Sequence, residues 1–89
     1  MAVYVDDMRA PYGRMIMCHL MSDTSLGELH AFAQKIGMKR SWFQNGSAPH
    51  YDLSLMKRKE AVKEGAVEIS CSTPEWRRVY NDAKKLKEK

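Results

Sequence analysis

Ser25 and Glu28, three residues apart and directly ahead of Leu29, Phe32, Ala33 and Ile36, constrain this chain more than any other feature. A hydroxyl just before a helix accepts from an otherwise unpaired backbone N–H, and a glutamate three residues on reaches back to complete the cap. The apolar spacing that follows lays a single stripe along one helical face. Gly37 then stands where only glycine takes the left-handed backbone cheaply. These residues predict a helix between Ser25 and Gly37, entered through a polar loop. The loop and helix carry His19, Ser22, Asp23, Thr24, Glu28 and His30, so a polar site built around this stretch is expected.

The rest of the chain alternates. Ala2–Asp6 is a short β-rich run, and Asp7–Gly13 reads as a loop punctuated by Pro11 and Gly13. Arg14–Met21 is apolar on both faces, as a buried strand is, and reads as one, although periodicity in so short a run fits a helix turn as well. Met38–Gln44 is a third strand candidate, and 45–49 (NGSAP) is a turn cluster. Asp52 or Ser54 is placed to cap a second helix running to about Glu64, with Gly65 as its stop. Ala66–Ser70 returns as a strand, and Thr73-Pro74-Glu75 opens a last helix with Trp76, Val79, Tyr80, Ala83 and Leu86 on one stripe. This order predicts one α/β domain over residues 1–89. It would be a mostly parallel sheet of three or four short strands with about three helices, residues 73–89 forming a C-terminal amphipathic helix. In such sheets ligands gather beyond the carboxyl ends of the strands. Asp6, the 19–24 loop and the 44–52 loop all fall at such ends.

Composition removes several function classes. The formal charge is +4, but residues 75–89 hold six Lys/Arg against three Asp/Glu, leaving a body balanced to +1. A duplex-DNA reader needs a broad basic field, so any nucleic-acid contact is expected to be weak and confined to the tail. Cys18 and Cys71 match no CxxC or zinc spacing, and Cys18 reads as a buried inert thiol. No run approaches the roughly 18 apolar residues of a membrane span. The N-terminus lacks the pattern of a signal peptide, and a reducing, cytoplasmic setting is expected.

Two kinds of chemistry suit the polar residues. His19, Asp23, His50 and Asp52, with Asp6, have the ligand types of an N/O site for Zn²⁺, Mn²⁺ or Mg²⁺. If His50–Asp52 is extended, its first and third side chains share one side of the backbone. The competing account makes His19 and His50 structural and Asp23 and Asp52 helix caps. The second chemistry needs no metal. The helix start at Ser22, Thr24 and Ser25 favours an anion. Arg14, Lys57 and Arg58 would add charge-assisted contacts to phosphate or carboxylate. His19 or His50, with Asp52, would then serve as general acid or base. No nucleophile elbow, P-loop or dinucleotide glycine pattern occurs.

Read together, HLMSDTSLGELHAFAQKIG and HYDLSLMKRKEAVKEGAVEIS resemble the domain-of-unknown-function family numbered 4031. The shared pattern falls on Asp6, Gly13-Arg14, His19 through Asp23, Glu28 through Ala33, Gly37, His50 through Asp52, and Ala61 through Ala66. The resemblance covers roughly residues 2–72, and the chain departs from the family pattern in the loop after Asp6 and before His50. It implies a small phage or bacterial protein with a shared polar site. Longer relatives fused to an HD-type phosphohydrolase domain point by analogy to phosphate-ester chemistry. The expected ligand is therefore a phosphate-bearing small molecule, bound or hydrolysed with a divalent metal. The alternative is a non-enzymatic phage accessory protein that binds a host protein, a reading suited to the methionine-rich edge around Met8, Met15, Met17 and Met21.

Overall fold

A computed structural model describes residues 2–46 and 48–86. The last three residues of the helix expected over 73–89 lie outside these residues. The fold is α/β, organised on an eight-residue central strand. The strands are β1 (Val3–Val5), β2 (Ala10–Tyr12), β3 (Met15–Ser22), β4 (Tyr51–Ser54) and β5 (Val67–Glu68); the helices are α1 (Leu26–Lys35), α2 (Leu55–Lys63) and α3 (Pro74–Lys84). β3 pairs with β1, β2 and β4, and β5 extends the sheet beyond β1.

The sheet is mixed rather than mostly parallel. β1, β2 and β4 all run antiparallel to β3, and the parallel pairing is β1 with β5. The connections explain this. Gly13 and Arg14 turn β2 directly into β3, and Gly13 supplies the positive φ such a turn needs. After α1, residues 36–50 carry the chain back to the end of β3 it had left, so β4 begins with Tyr51 opposite Leu20.

β2 lies within the stretch read from sequence as a loop. Val5 pairs with Leu20 and Ala10 with Met17, so Asp6 through Arg9 oppose only Cys18 and His19. The excess is extruded as a bulge, with Arg9 at a φ of 52°. Asp7 anchors the bulge by accepting from the Cys71 N–H at 2.8 Å. The strand expected over Met38–Gln44 is instead a 3₁₀ turn, Arg40–Trp42. Lys39 through Trp42 are all exposed, so no buried face holds that segment in a sheet. Gln44 pairs only with His50, across the turn.

The helices begin at expected caps, and α1 and α2 end just ahead of Gly37 and Gly65. α3 ends at Lys84, short of the span expected over 73–89. The hydroxyls of Ser25, Ser54 and Thr73 accept from the N–H groups of Glu28, Lys57 and Trp76. Each such cap contributes about 1 kcal/mol. α1 closes with paired bonds from Gly37 N–H to Gln34 O and from Met38 N–H to Ala33 O. Gly37 takes the required φ of 81°.

Side chains alternate across β3 and divide the core. Leu20, with Val3, Val5, Tyr51 and Leu53, packs under α1 and α2 beside Leu29, Ala33 and Ala61. Met21, with Tyr4, packs on the opposite face against Val79 and Ala83 of α3. His19 shares the face of Met21, and so stands beside the helix that covers half of it.

Candidate functional site

Asp6 just past β1, His19 on β3 and Asp52 on β4 form one row. His19 pairs with Asp52, and the Asp6 N–H donates to the His19 carbonyl at 3.2 Å. His50, two residues before Asp52 on an extended backbone, projects to the same side. The His19 and His50 rings meet edge to face with centroids 4.9 Å apart.

Each imidazole has one nitrogen committed. His19 Nδ1 lies 2.8 Å from Asp6 Oδ2, and His50 Nδ1 lies 2.8 Å from the Ala48 carbonyl oxygen. An ionised carboxylate and a carbonyl only accept, so both Nδ1 atoms carry the proton. A neutral imidazole then presents a lone pair at Nε2. Both Nε2 atoms face the same oxygen, Asp52 Oδ1, at 3.9 Å from His19 and 3.3 Å from His50. The other Asp52 oxygen accepts from the Gln44 amide.

Asp6 is fully buried and fully satisfied. Its Oδ1 accepts from the N–H groups of His19 and Met8 at 2.9 and 3.2 Å, and Oδ2 accepts from Trp76 Nε1 at 3.0 Å as well as from His19. Burial pushes this carboxyl up. The hydrogen bonds from His19 and Trp76, with the charge of His19, outweigh it and hold the group below the ordinary carboxylate value. His19 in turn binds a proton more readily than a free imidazole. The hydrogen bond to Asp6 is the main cause, opposed by burial and aided by the charges of Asp6 and Asp52.

With both imidazoles neutral, three acceptor atoms converge. One ligand atom from each of His19, His50 and Asp52 lies within 4.8 Å of the other two. A tetrahedral zinc with bonds of about 2.0–2.1 Å needs ligand separations of about 3.4 Å, so small side-chain shifts would close the set. Two histidines and one carboxylate leave coordination positions open, the pattern of catalytic rather than structural metal sites. Asp6 behind His19 fixes that imidazole's tautomer, as an outer carboxylate would if His19 held a metal.

The other sequence-designated residues lie elsewhere. Asp23 is bonded by Tyr4 Oη at 3.0 Å, Thr24 Oγ1 at 3.0 Å and Arg78 at 3.3 Å. Ser22 Oγ donates to Glu28 at 2.8 Å and accepts from the N–H groups of Thr24 and Ser25. Glu28 therefore closes on Ser22, while Ser25 caps α1 with its own hydroxyl. Arg14 is exposed on the β2–β3 turn. Arg58 donates to the Asp6 carbonyl at 2.8 Å and pairs with Glu68 at 3.0 Å, tying α2 to β1 and β5. Lys57 donates to the Ile36 carbonyl at 2.6 Å.

Two residues at the site carried no sequence signal for it. Trp76 sits in the apolar stripe of α3, and nothing in its spacing announces the bond to Asp6. Gln44 reaches Asp52 only because it pairs with His50 and so lies alongside. The His19 and His50 rings also line a cavity of about 310 Å³, with Met8, Met21, Ala48, Trp76 and Tyr80.

No helix among the described residues is long and apolar enough to cross a membrane. Searches of curated proteins and of solved structures return no match. The family profile described as "Protein of unknown function (DUF4031)" matches residues 3–81, and so extends past the expected limit at residue 72 through most of α3. The chain belongs to the DUF4031 family.

Proposed function

We propose that this domain binds one divalent transition metal through His19, His50 and Asp52, and uses its open coordination positions to bind and hydrolyse a phosphate ester. The observation that carries this reading is the convergence of two Nε2 atoms on one carboxylate oxygen. Two Nε2 lone pairs aimed at a carboxylate oxygen repel one another unless a cation or a proton lies between them. Imidazole and carboxylate together favour Zn²⁺ or a neighbouring first-row ion over Mg²⁺, which prefers oxygen ligands and retains its waters.

A metal held this way supplies Lewis acidity and acidifies a bound water. His19 is oriented by Asp6, His50 by the Ala48 carbonyl and Asp52 by Gln44, so the chain's own work is preorganisation. In the net reaction, water oxygen forms a bond to phosphorus and the ester P–O bond breaks. One water proton passes to the medium and the released alkoxide takes a proton from it. Arg14, Ser22, Thr24, Ser25 and Arg58 are spread over separate elements, so the phosphate is held chiefly by the metal. The phosphate class itself rests on the analogy with HD-fused relatives.

The test is hydrolysis of a p-nitrophenyl phosphate ester by Zn²⁺- or Mn²⁺-loaded protein. The expected result is metal-dependent release that is abolished in His50→Ala. Release equal in wild type and variant would overturn the hydrolytic reading.

A second reading, as a partner-binding protein, is favoured by a different observation. Met15, Ile16, Trp42 and Met56 are exposed, Met56 at 73% and Trp42 at 48%. A depression beside Asp52 is lined by Met15, Met17, Met38 and Trp42. Ligand-independent melting of a metal-free protein, with a partner lost on Trp42→Ala, would support it.

A further inference from the structure

The cavity beside the two imidazoles differs in character from the metal-ligating cluster. It is lined by Met8, Met21, Ala48, Trp76 and Tyr80 together with His19 and His50. None of these lining residues is a lysine, arginine, aspartate or glutamate. The nearby guanidinium of Arg58 is spent on the Asp6 carbonyl and Glu68. An anion placed in this cavity would find no lysine or arginine side chain to replace its water, a costly arrangement. An uncharged group would lose nothing.

The walls also suit a flat group. Trp76 and Tyr80, four residues apart on α3, stack with centroids 5.0 Å apart and planes 21° from parallel. The Trp76 indole is pinned by its bond to Asp6, so one wall is rigid. Met8 and Met21 supply flexible thioethers, which adapt to a ring and make favourable sulfur–aromatic contacts. A volume of about 310 Å³ accommodates one ring system and a short linker, at the small end of ligand sites.

We infer that the cavity receives the uncharged aromatic ring of a ligand whose oxyanion end occupies the open positions on a metal held by His19, His50 and Asp52. The inference rests on the metal reading above and deepens it, because it assigns the organic half of the ligand. The ligand class is an aryl- or heteroaryl-bearing oxyanion. A sugar phosphate or inorganic phosphate lacks the part that this cavity selects.

The experiment compares phenylphosphonate with methylphosphonate, two non-hydrolysable oxyanions differing in the ring, on Zn²⁺-loaded protein by calorimetry. Phenylphosphonate is expected to bind about tenfold or more tightly, consistent with burial of a ring's apolar surface. Trp42→Phe serves as background, so that ring binding is read as a change in Trp76 emission. Tyr80→Ala and, as a variant less able to disturb folding, Met8→Ala should each reduce the preference while leaving Zn²⁺ affinity unchanged. Equal affinity for the two phosphonates, or a preference indifferent to both substitutions, overturns the inference and leaves the metal site standing. Zn²⁺ binding without binding of either phosphonate also overturns it. Failure of Zn²⁺ to bind at all removes the metal reading and the inference together.

Discussion

Asp6 has no exposed surface, yet it carries a charge and accepts from four donors. An ionised group so placed is tolerated only because every partner is present. His19 is the beneficiary, since its tautomer and ring plane follow from Asp6. Asp23 shows the same physics without belonging to the cluster. Burial pushes its carboxyl up, but bonds from Thr24, Tyr4 and Arg78, with the charge of Arg78, bring it below the ordinary value. A carboxyl held low in the folded state stabilises the fold fully above its unfolded pKa of about 3.9, and that stability is lost as pH falls through the folded value. Asp23→Asn should therefore flatten the acid limb of stability against pH, measured by urea unfolding between about pH 5 and pH 3. An acid limb as steep as that of wild type would show that the bonds to Asp23 are not formed in solution. The residue types at the site were readable in the sequence; their grouping was not. His19 and Asp52 are 33 positions apart, and only strand register sets them opposite each other. Asp23 has the same chemistry but faces Arg78, and no local pattern distinguishes it from Asp52.

Elements with strong local signals were legible, and those defined by pairing were not. α1 and α3 begin at the expected hydroxyl caps, and α2 begins at Ser54, one of its two expected caps. β2 was hidden because Pro11 and Gly13 read as loop, although Pro11 sits in a three-residue piece beside β3. β4 was hidden because Tyr51 through Ser54 run directly into α2, and a four-residue alternation is too short to separate from a cap. Residues 38–44 carry Trp42 and Phe43, which suit a strand, but their polar neighbours are exposed and a 3₁₀ turn results. Gly65 offers a test of the element boundaries. It ends α2 at a φ of 109°, with Gly65 N–H bonded to Val62 O and Ala66 N–H to Ala61 O. An added Cβ would meet nothing within 4 Å, so the cost is that of the backbone alone. Gly65→Ala should destabilise by about 1–2 kcal/mol, read as a lowered urea midpoint with unchanged slope. A neutral substitution would mean that α2 ends differently.

At the scale of the whole molecule, the fold is two small cores separated by one sheet, with the site where the second core stops. α1 and α2 cover Val5, Leu20 and Leu53 on one face. α3 closes half of the other through Val79 and Ala83, and Trp76 at its start reaches Asp6. The row Asp6–His19–Asp52 lies along the edge of that cover, so one imidazole is oriented from the interior while the side chains of His19, His50 and Asp52 stay partly exposed. The α/β class followed from alternation along the chain. The strand directions did not, because they depend on how residues 36–50 return the chain. Co²⁺ binding followed by its visible absorption, at about pH 8 where protons compete least for the imidazoles, tests the account most directly. It predicts one ion per chain, with His19→Ala, His50→Ala and Asp52→Ala each losing more affinity than the roughly 10–100-fold expected for Asp6→Asn behind them. Wild-type protein that binds no Co²⁺, or variants that bind it as well as wild type, would contradict it.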